Sequence, residues 1–222
     1  MSKTLCFILA LTASVAGSEC AWSRSGAAST QCSSAPVDHW RIISKKCIGT
    51  VPWTGSEEDF VQAFGTRNVK TAILDDAINS EGVNSPGIVL FPNDSLKSVN
   101  IVWADPARRR GVGFCYLQYL GYKRPSRLGY WHLASGISLG MNIRILERMN
   151  HHPFAISLTN IDVRQGVNNW EGGNLAAETA FVGLSADEGD RHIDQNFKET
   201  KMMWSSDRDV QAASLWIDYI VP

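Results

Sequence analysis

The sequence has almost no excess charge of either sign. Its 222 residues include 21 lysines and arginines and 22 aspartates and glutamates, which gives a formal net charge of -1. A protein that neutralises nucleic-acid phosphates or anionic lipid headgroups needs a basic surplus, so this balance argues against a nucleic-acid partner. The dense basic cluster Arg108, Arg109 and Arg110 follows Asp105 and Pro106, and we interpret it as a solvated turn.

Beyond its N-terminus the sequence also lacks an apolar run long enough to cross a bilayer. The first residues differ: Lys3 precedes the apolar stretch LCFILALTASVA, and small residues occupy 14–16, where a signal peptidase cleaves. A run of this length is short for a membrane span and typical of a secretory signal. We therefore predict a signal peptide over 1–16, no membrane span, and a periplasmic or extracellular location.

Cysteine is scarce, and the tight Cys-x-x-Cys pairs of structural zinc sites are missing. Once Cys6 is removed with the signal peptide, the exported chain keeps Cys20, Cys32, Cys47 and Cys115. An even number in an exported chain indicates two disulfides, for which three pairings are possible. Three of the four lie near the N-terminus, so one bridge could join that segment to Cys115.

Composition divides the exported chain into a leader and a folded part that begins near His39. Residues 17–38 are rich in serine, alanine and glycine, which predicts a poorly ordered, cysteine-containing leader. Ser56 can cap a short helix whose first turn is acidic, and Gly65 can end it in the left-handed conformation. Strand-like runs separated by turn residues follow, at 69–75, 87–91 and 98–105. These short sequential strands predict an antiparallel meander.

The second half of the chain shows the same order of elements. Its helix has similarly spaced apolar residues and is predicted to end at Asn150, the counterpart of Gly65, because both residue types tolerate positive φ. Further strand-like runs follow, at 154–163, 178–185 and 214–221. We predict an α+β fold of two tandem units, 39–127 and 128–222, each a short helix followed by antiparallel strands. The segments that connect the units are 113–120 and 128–134.

The stretch GISLG, at 136–140, fits the Gly-x-Ser-x-Gly pattern of a nucleophile elbow. Ser138, an acid such as Asp162, Asp187 or Asp190, and His192 follow the chain order of the α/β-hydrolase triad and are the candidate catalytic residues of a serine hydrolase. However, no continuous aliphatic strand precedes the stretch, no His-Gly-Gly segment supplies a second oxyanion donor, and strands do not alternate with helices. We favour a helix start at which Ser138 or Asn142 is the N-cap, and we keep the hydrolase as the alternative.

No His-x-x-x-His or Glu-x-x-His spacing is present, so a metal site would have to be assembled from distant residues. His151 and His152 are the candidate centre of such a site, with His132, His192 or Asp194 as further ligands. We favour a role for the adjacent histidines beside the dipole at a helix C-terminus. No metal or other cofactor is predicted.

Tryptophan is abundant, with eight residues in the chain. One of them, Trp170, lies in the stretch NNWEGGNL, whose composition indicates an exposed turn. An exposed aromatic ring beside flexible glycines offers contact area at a low entropic cost, as recognition surfaces do. We therefore predict a binding surface made of Trp170, Glu171, Gly172, Gly173, His151 and His152.

Three of these stretches together resemble a known group of proteins. PGIVLFPNDSLKSVNIVWAD, GISLGMNIRILERMNHHPF and WEGGNL are similar to uncharacterised exported bacterial proteins that carry a GTVLFP...IxW block, then GxSLxELExLNGxPF and a GGxL turn. The similarity covers residues 60–176, and His151 stands where that family has glycine.

More distantly, a helix followed by a meander, twice over, resembles the repeat of outer-membrane assembly lipoproteins and beta-lactamase-inhibitor proteins. Members of the second group bind other molecules and do not catalyse reactions. The resemblance implies a non-enzymatic protein with no cofactor and no catalytic residue, whose partner is an envelope protein or a cell-surface ligand.

Overall fold

The computed structural model describes residues 38–75, 84–121, 123–158, 166–186, 201–213 and 215–222. The predicted signal peptide and nearly all of the predicted leader lie outside these residues. Several predicted site residues lie outside them as well: Cys20, Cys32, Asp162, His192 and Asp194. No helix in the described ranges combines the length and the apolar character that a membrane span requires.

Helices and mainly antiparallel strands make up the described fold, which is α+β, as predicted. The helices are α1 Glu57–Phe64, α2 Ile143–Asn150 and α3 Arg208–Ala212, and a 3₁₀ turn spans Thr66–Asn68. The strands of the first half are β1 Arg41–Ile43, β2 Cys47–Ile48, β3 Val51–Pro52, β4 Val69–Asp75, β5 Asn84–Leu90, β6 Val99–Asp105 and β7 Arg110–Gln118. Those of the second half are β8 His132–Leu133, β9 Ala155–Leu158, β10 Gly166–Asn169, β11 Phe181–Ser185, β12 Lys201–Trp204 and β13 Trp216–Val221.

The described strands form two sheets. The larger has nine antiparallel strands in the order β12-β9-β10-β11-β13-β7-β6-β5-β4. The smaller has the order β3-β2-β1-β8, in which β1 and β8 are parallel. The predicted meander is present in the larger sheet, because β4, β5, β6 and β7 pair in sequence.

One continuous core joins the helices to the larger sheet. Alternate residues of a strand point to the same side, so Ile101 and Ile220 project from the face that the helices cover. Phe60 of α1, Leu146 of α2 and Val210 of α3 all pack in this core and are completely buried. The three helices are therefore held by apolar burial against the sheet.

Local sequence explains where α1 begins and ends. The Ser56 hydroxyl oxygen accepts a hydrogen bond from the Asp59 N–H, and the Asp59 carboxylate accepts one from the Ser56 N–H, which is a capping box. Gly65 ends the helix at φ 85°, but its ψ of 143° lies outside the left-handed helical region predicted for it. The positive φ still accounts for a glycine at this position.

The N-cap of α2 is one of the two predicted residues, and the positive-φ residue that ends the helix lies one position beyond the predicted Asn150. Asn142 is the N-cap, with its side-chain oxygen accepting the Ile145 N–H at 2.9 Å, whereas Ser138 lies four residues further from the helix. Asn150 is the last helical residue, and His151 takes the left-handed conformation at φ 58°. A non-glycine residue therefore occupies a backbone conformation that usually favours glycine.

The predicted connection at 113–120 is wrong, because most of it belongs to β7, one of the inner strands of the larger sheet. Cys115 and Leu117 are buried on the face that carries the core, so the segment is structural rather than a linker. The other predicted connection, 128–134, contains β8, which pairs with β1 in the smaller sheet.

Strand β12 forms one edge of the larger sheet among the described strands, and a turn occupies the backbone groups of its last residue. The Trp204 N–H donates to the Asp207 carboxylate at 3.0 Å, and the Asp207 N–H donates to the Trp204 carbonyl oxygen at 3.0 Å. Both backbone groups of Trp204 are therefore occupied on the side that faces away from β9.

Truncation of two isoleucines in strands should change the free energy of unfolding by different amounts, because one side chain is buried in the core and the other is exposed. Ile101→Ala should lower the free energy of unfolding by about 2–5 kcal/mol, because Ile101 is completely buried in β6 and its loss leaves a cavity. Ile73→Ala removes the same atoms from β4, where the side chain is 65% exposed, and should change stability by less than about 0.5 kcal/mol. Urea unfolding measures both; equal losses would contradict this core.

Candidate functional site

The residues predicted to form a binding surface come together at the end of α2. Asn150 makes the connection, and its side chain is completely buried. Its Nδ2 donates to the carbonyl oxygens of His152 and Trp170, both at 2.8 Å, and its Oδ1 accepts the Leu175 N–H at 2.9 Å. The backbone of His152 and the glycine-rich turn are thus held by one buried amide.

The backbone of the glycine-rich turn fits closely around Asn150. The Asn150 carbonyl oxygen accepts the Asn174 N–H at 2.8 Å. A Cβ atom at Gly173 would overlap the backbone oxygen and the side chain of Asn150, so this close approach requires glycine. Glu171 and Gly172 both have positive φ, which produces the tight turn.

Trp170 itself is buried, so the prediction that its ring forms part of an exposed surface is wrong. Only 5% of its surface is exposed, and the ring packs against Phe154 with the centroids 5.0 Å apart. The neighbouring Asn168, Asn169 and Gly172 are exposed, as the composition of the stretch indicated. The turn points its polar residues outwards because its aromatic ring anchors it to the core.

A polar cleft of about 570 Å³ lies beside this helix end, and we call it the helix-end cleft. Side chains from the outer face of α2, the two histidines after it and one residue of α3 surround it. The residues that matter for its chemistry are Arg144, Glu147, Arg148, His151, His152 and Gln211. Two of the predicted binding residues, His151 and His152, therefore line it.

A network of hydrogen bonds fixes one wall of the helix-end cleft. Arg144 donates from Nε to the Gln211 side-chain oxygen and from Nη2 to the Gln211 carbonyl oxygen, both at 3.0 Å. The Glu147 carboxylate accepts from the buried Ser205 hydroxyl at 2.7 Å and from Gln211 Nε2 at 3.4 Å. The Ser205 hydroxyl oxygen in turn accepts the Phe154 N–H at 3.0 Å. Helix α3 is thereby tied to α2.

Other groups of the helix-end cleft remain available to a ligand. Arg148 and His151 are exposed, and within the described chain their side chains have neither a hydrogen-bond nor an ion-pair partner. His152 Nδ1 lies 2.7 Å from the Pro153 carbonyl oxygen, which can only accept, so Nδ1 carries the hydrogen and the neutral ring keeps Nε2 as an acceptor. The cleft thus offers two guanidinium groups and two imidazoles around a single carboxylate.

The histidines are not assembled into a metal site by the described residues. In those ranges no group of three or more histidine, cysteine, aspartate or glutamate side chains is placed to hold an ion. His132 instead pairs with Asp38, with Nε2 and Oδ2 at 2.8 Å. The other proposed ligands, His192 and Asp194, lie outside the described residues.

Ser138 does not have the backbone environment of a nucleophile elbow. It is buried, forms an isolated antiparallel bridge with His132, and its φ is not among the positive values of the described residues. An elbow places a strained nucleophile at the point where a strand turns into a helix. Here four residues separate Ser138 from α2. The proposed triad partners Asp162 and His192 are outside the described ranges.

A second cleft, of about 710 Å³, lies beside α1 and contains the basic cluster. Arg109 has φ 49° in the predicted turn and forms an ion pair with Glu57 at 3.2 Å. Arg108 lies 3.7 Å from Asp105, and Arg110 Nε donates to the Thr54 carbonyl oxygen at 3.1 Å. All three arginines therefore already have partners within the chain.

The predicted disulfide between the N-terminal segment and Cys115 is not present. Cys115 is a free thiol, completely buried on the core face of β7 opposite Ile101. Burial raises the pKa of this thiol, because the thiolate would lose its hydration, and the residue packs as a small apolar group. Cys47 is a buried thiol in the smaller sheet. A bond between Cys20 and Cys32 stays a prediction.

Sequence reasoning missed Arg144, Arg148 and Gln211. The two arginines stand four residues apart on a predicted helix, which places them on one face and could have indicated a cationic surface. Gln211 lies in α3, a short helix that the sequence did not predict.

Comparison of the chain with protein-family models, with curated proteins and with solved structures gives no significant match. The function therefore has to be inferred from the geometry and chemistry of the site.

Loss of the Asn150 amide should destabilise the helix end. Asn150→Ala removes the partners of the Trp170 carbonyl and the Leu175 N–H, so we expect the free energy of unfolding to fall by about 2–4 kcal/mol. The matched control Asn168→Ala changes an exposed residue of β10 and should cost less than about 0.5 kcal/mol. Chemical denaturation measures both, and a neutral Asn150→Ala would refute the anchoring role.

The thiol of Cys115 should react only when the core opens. We expect iodoacetamide to leave Cys115 unmodified in the native chain and to label it in urea without any reductant, because the thiol is buried and not oxidised. Peptide mass mapping locates the label. Labelling that required prior reduction would show that Cys115 forms a disulfide after all.

Proposed function

We propose that the chain is an exported, non-enzymatic protein that binds an envelope protein or a cell-surface ligand through the helix-end cleft. One contrast between the two clefts supports this most strongly. The arginines beside α1 are paired within the chain, whereas Arg148 and His151 are exposed and have no partner among the described residues.

The walls of the helix-end cleft favour recognition without rearrangement. Arg144 is oriented by Gln211, and the backbone of His152 is held by the buried amide of Asn150. Groups that are already ordered lose little conformational entropy when a partner binds. The volume falls in the range of ligand sites, but the lining is polar and carries several charges, which suits a charged group on a partner's surface.

We also propose that the two halves are tandem copies of one unit. After α1, the strands β4, β5, β6 and β7 run from one edge of the larger sheet to its interior. After α2, the strands β9, β10, β11 and β13 run inwards from near the other edge, and β13 pairs with β7. This shared order supports the proposal of two units, with β12 added outside β9 in the second half. Under this proposal the cleft at α2 has acquired the binding role.

Export is part of the proposal and rests on the features of residues 1–16. The hydrolase alternative is not carried forward, because Ser138 is buried and is separated from the helix that an elbow requires. No catalytic residue and no cofactor are assigned.

The proposal predicts that the partner is captured through the helix-end cleft. Immobilised chain should retain a specific partner from an envelope extract, and Arg148→Ala should reduce the recovery at least about tenfold, as expected for the loss of a charged hydrogen-bonding group. His151→Asn, which keeps a residue suited to the left-handed conformation, should reduce it less. Quantitative mass spectrometry of the retained proteins measures each recovery.

Arg108→Ala is the matched control, because it removes the same charge from an exposed position in the α1 cleft. It should leave the recovery unchanged. If no partner is retained, or if Arg148→Ala and Arg108→Ala retain it equally, the helix-end cleft is not the binding site.

A further inference from the structure

We propose that the helix-end cleft binds a carboxylate group, presented by an acidic segment of the partner. The inference rests on the proposed function and adds the chemical class of the ligand. Three observations are used: neither arginine has an ion-pair partner among the described residues, the cleft lies at the negative end of the α2 dipole, and Glu147 is hydrogen-bonded to Ser205 and Gln211.

Arg144 and Arg148 stand one helical turn apart on the same face of α2, where side chains four residues apart are neighbours. In the described part of the chain neither forms an ion pair with a carboxylate. Arg144 uses Nε and Nη2 to bond Gln211, and Arg148 donates to none of the residues that the structure describes. The planar guanidinium of Arg148 can bind a carboxylate with two parallel hydrogen bonds.

Glu147 lines the same cleft, but its carboxylate does not form an ion pair with either arginine. Its carboxylate accepts hydrogen bonds from Ser205 and Gln211, which hold it against α3. It is therefore engaged in joining the two helices. Since no carboxylate of the described residues pairs with Arg148, the carboxylate that we propose for it is presented by another molecule.

The position of the cleft favours a singly charged anion over a phosphate group. The cleft adjoins the C-terminus of α2, where the helix dipole is negative, whereas phosphates are favoured at helix N-termini. Glu147 adds a further negative charge. Both reduce the attraction that the two guanidinium groups exert on any anion. The cost of removing water from an anion rises with the square of its charge, whereas the attraction rises only in proportion to the charge, so a weakly attractive cleft favours a carboxylate over a phosphate dianion.

A defined acidic peptide tests the inference directly. The probe is a fluorescein-labelled octapeptide of glutamate, and its binding to the full chain is followed by fluorescence anisotropy at low salt. The comparison peptides are an octapeptide of glutamine and one in which phosphoserine replaces the central glutamates. The variants are Arg148→Ala, Arg148→Lys and the control Arg108→Ala, each checked for an unchanged thermal unfolding midpoint.

We expect the glutamate peptide to bind and the glutamine peptide not to bind. Arg148→Ala should weaken binding at least about tenfold, and Arg148→Lys should restore only part of it, because lysine keeps the charge but cannot form two parallel hydrogen bonds. Arg108→Ala should bind like the unmodified chain. Raising the salt from about 20 mM to about 300 mM should weaken binding, since the groups are exposed.

Three results would overturn the inference: no binding of the glutamate peptide, equal weakening by Arg148→Ala and Arg108→Ala, or tighter binding of the phosphoserine peptide. The capture experiment separates this failure from failure of the proposed function. If Arg148 is needed to capture the envelope partner but the glutamate peptide does not bind, the carboxylate assignment is wrong and the binding site stands. If no partner is captured either, both are wrong.

Discussion

The buried amide of Asn150 joins parts of the chain that are distant in sequence. It donates to one carbonyl beyond the helix and to another twenty residues later, and it accepts the N–H of Leu175. A buried amide that lost these bonds would pay the cost of desolvation without compensation. The backbone of His152, the turn at 170–175 and the close approach of Gly173 all depend on it. One side chain that does not line the helix-end cleft therefore helps to determine its shape.

The opposite wall depends on a second set of polar contacts, between α2 and the short helix α3. Five residues are few for a helix in water, so α3 needs its neighbours to be stable. Val210 supplies apolar burial in the core, and Gln211 supplies hydrogen bonds to Arg144 and Glu147. The same contacts that stabilise α3 also orient Arg144. One hydrogen-bond network therefore both stabilises α3 and orients the charged side chain of Arg144.

The first helix and several strands can be predicted from local sequence, because the residues that determine them lie within or directly beside each element. Ser56 and the acidic first turn mark the start of α1, and the apolar runs at 69–75 and 214–221 correspond to β4 and β13. Long-range contacts decide what local patterns cannot. Trp170 is buried because Phe154 lies beneath it, and β7 is an inner strand because β6 and β13 pair with it on both sides.

The residues of the candidate site also divide into those that local sequence can identify and those that depend on long-range contacts. His151 and His152 could be selected from sequence because they follow a recognisable helix. The availability of Arg148 could not, because it depends on which carboxylates the fold brings near it. The disulfide predicted for Cys115 shows the limit of counting residues, since the even number of cysteines does not reveal that this one faces the core of β7.

The turn that occupies both backbone groups of Trp204 has a consequence for how the molecule behaves in a crowded compartment. An exposed sheet edge is a template for pairing with other chains, and β12 also carries the exposed apolar side chains of Met202 and Trp204. Asp207 takes up the backbone donor and acceptor of Trp204, so an incoming strand finds no continuous ladder there. A carboxylate and a tight turn thereby remove one pair of backbone groups through which another chain could extend the sheet at this edge.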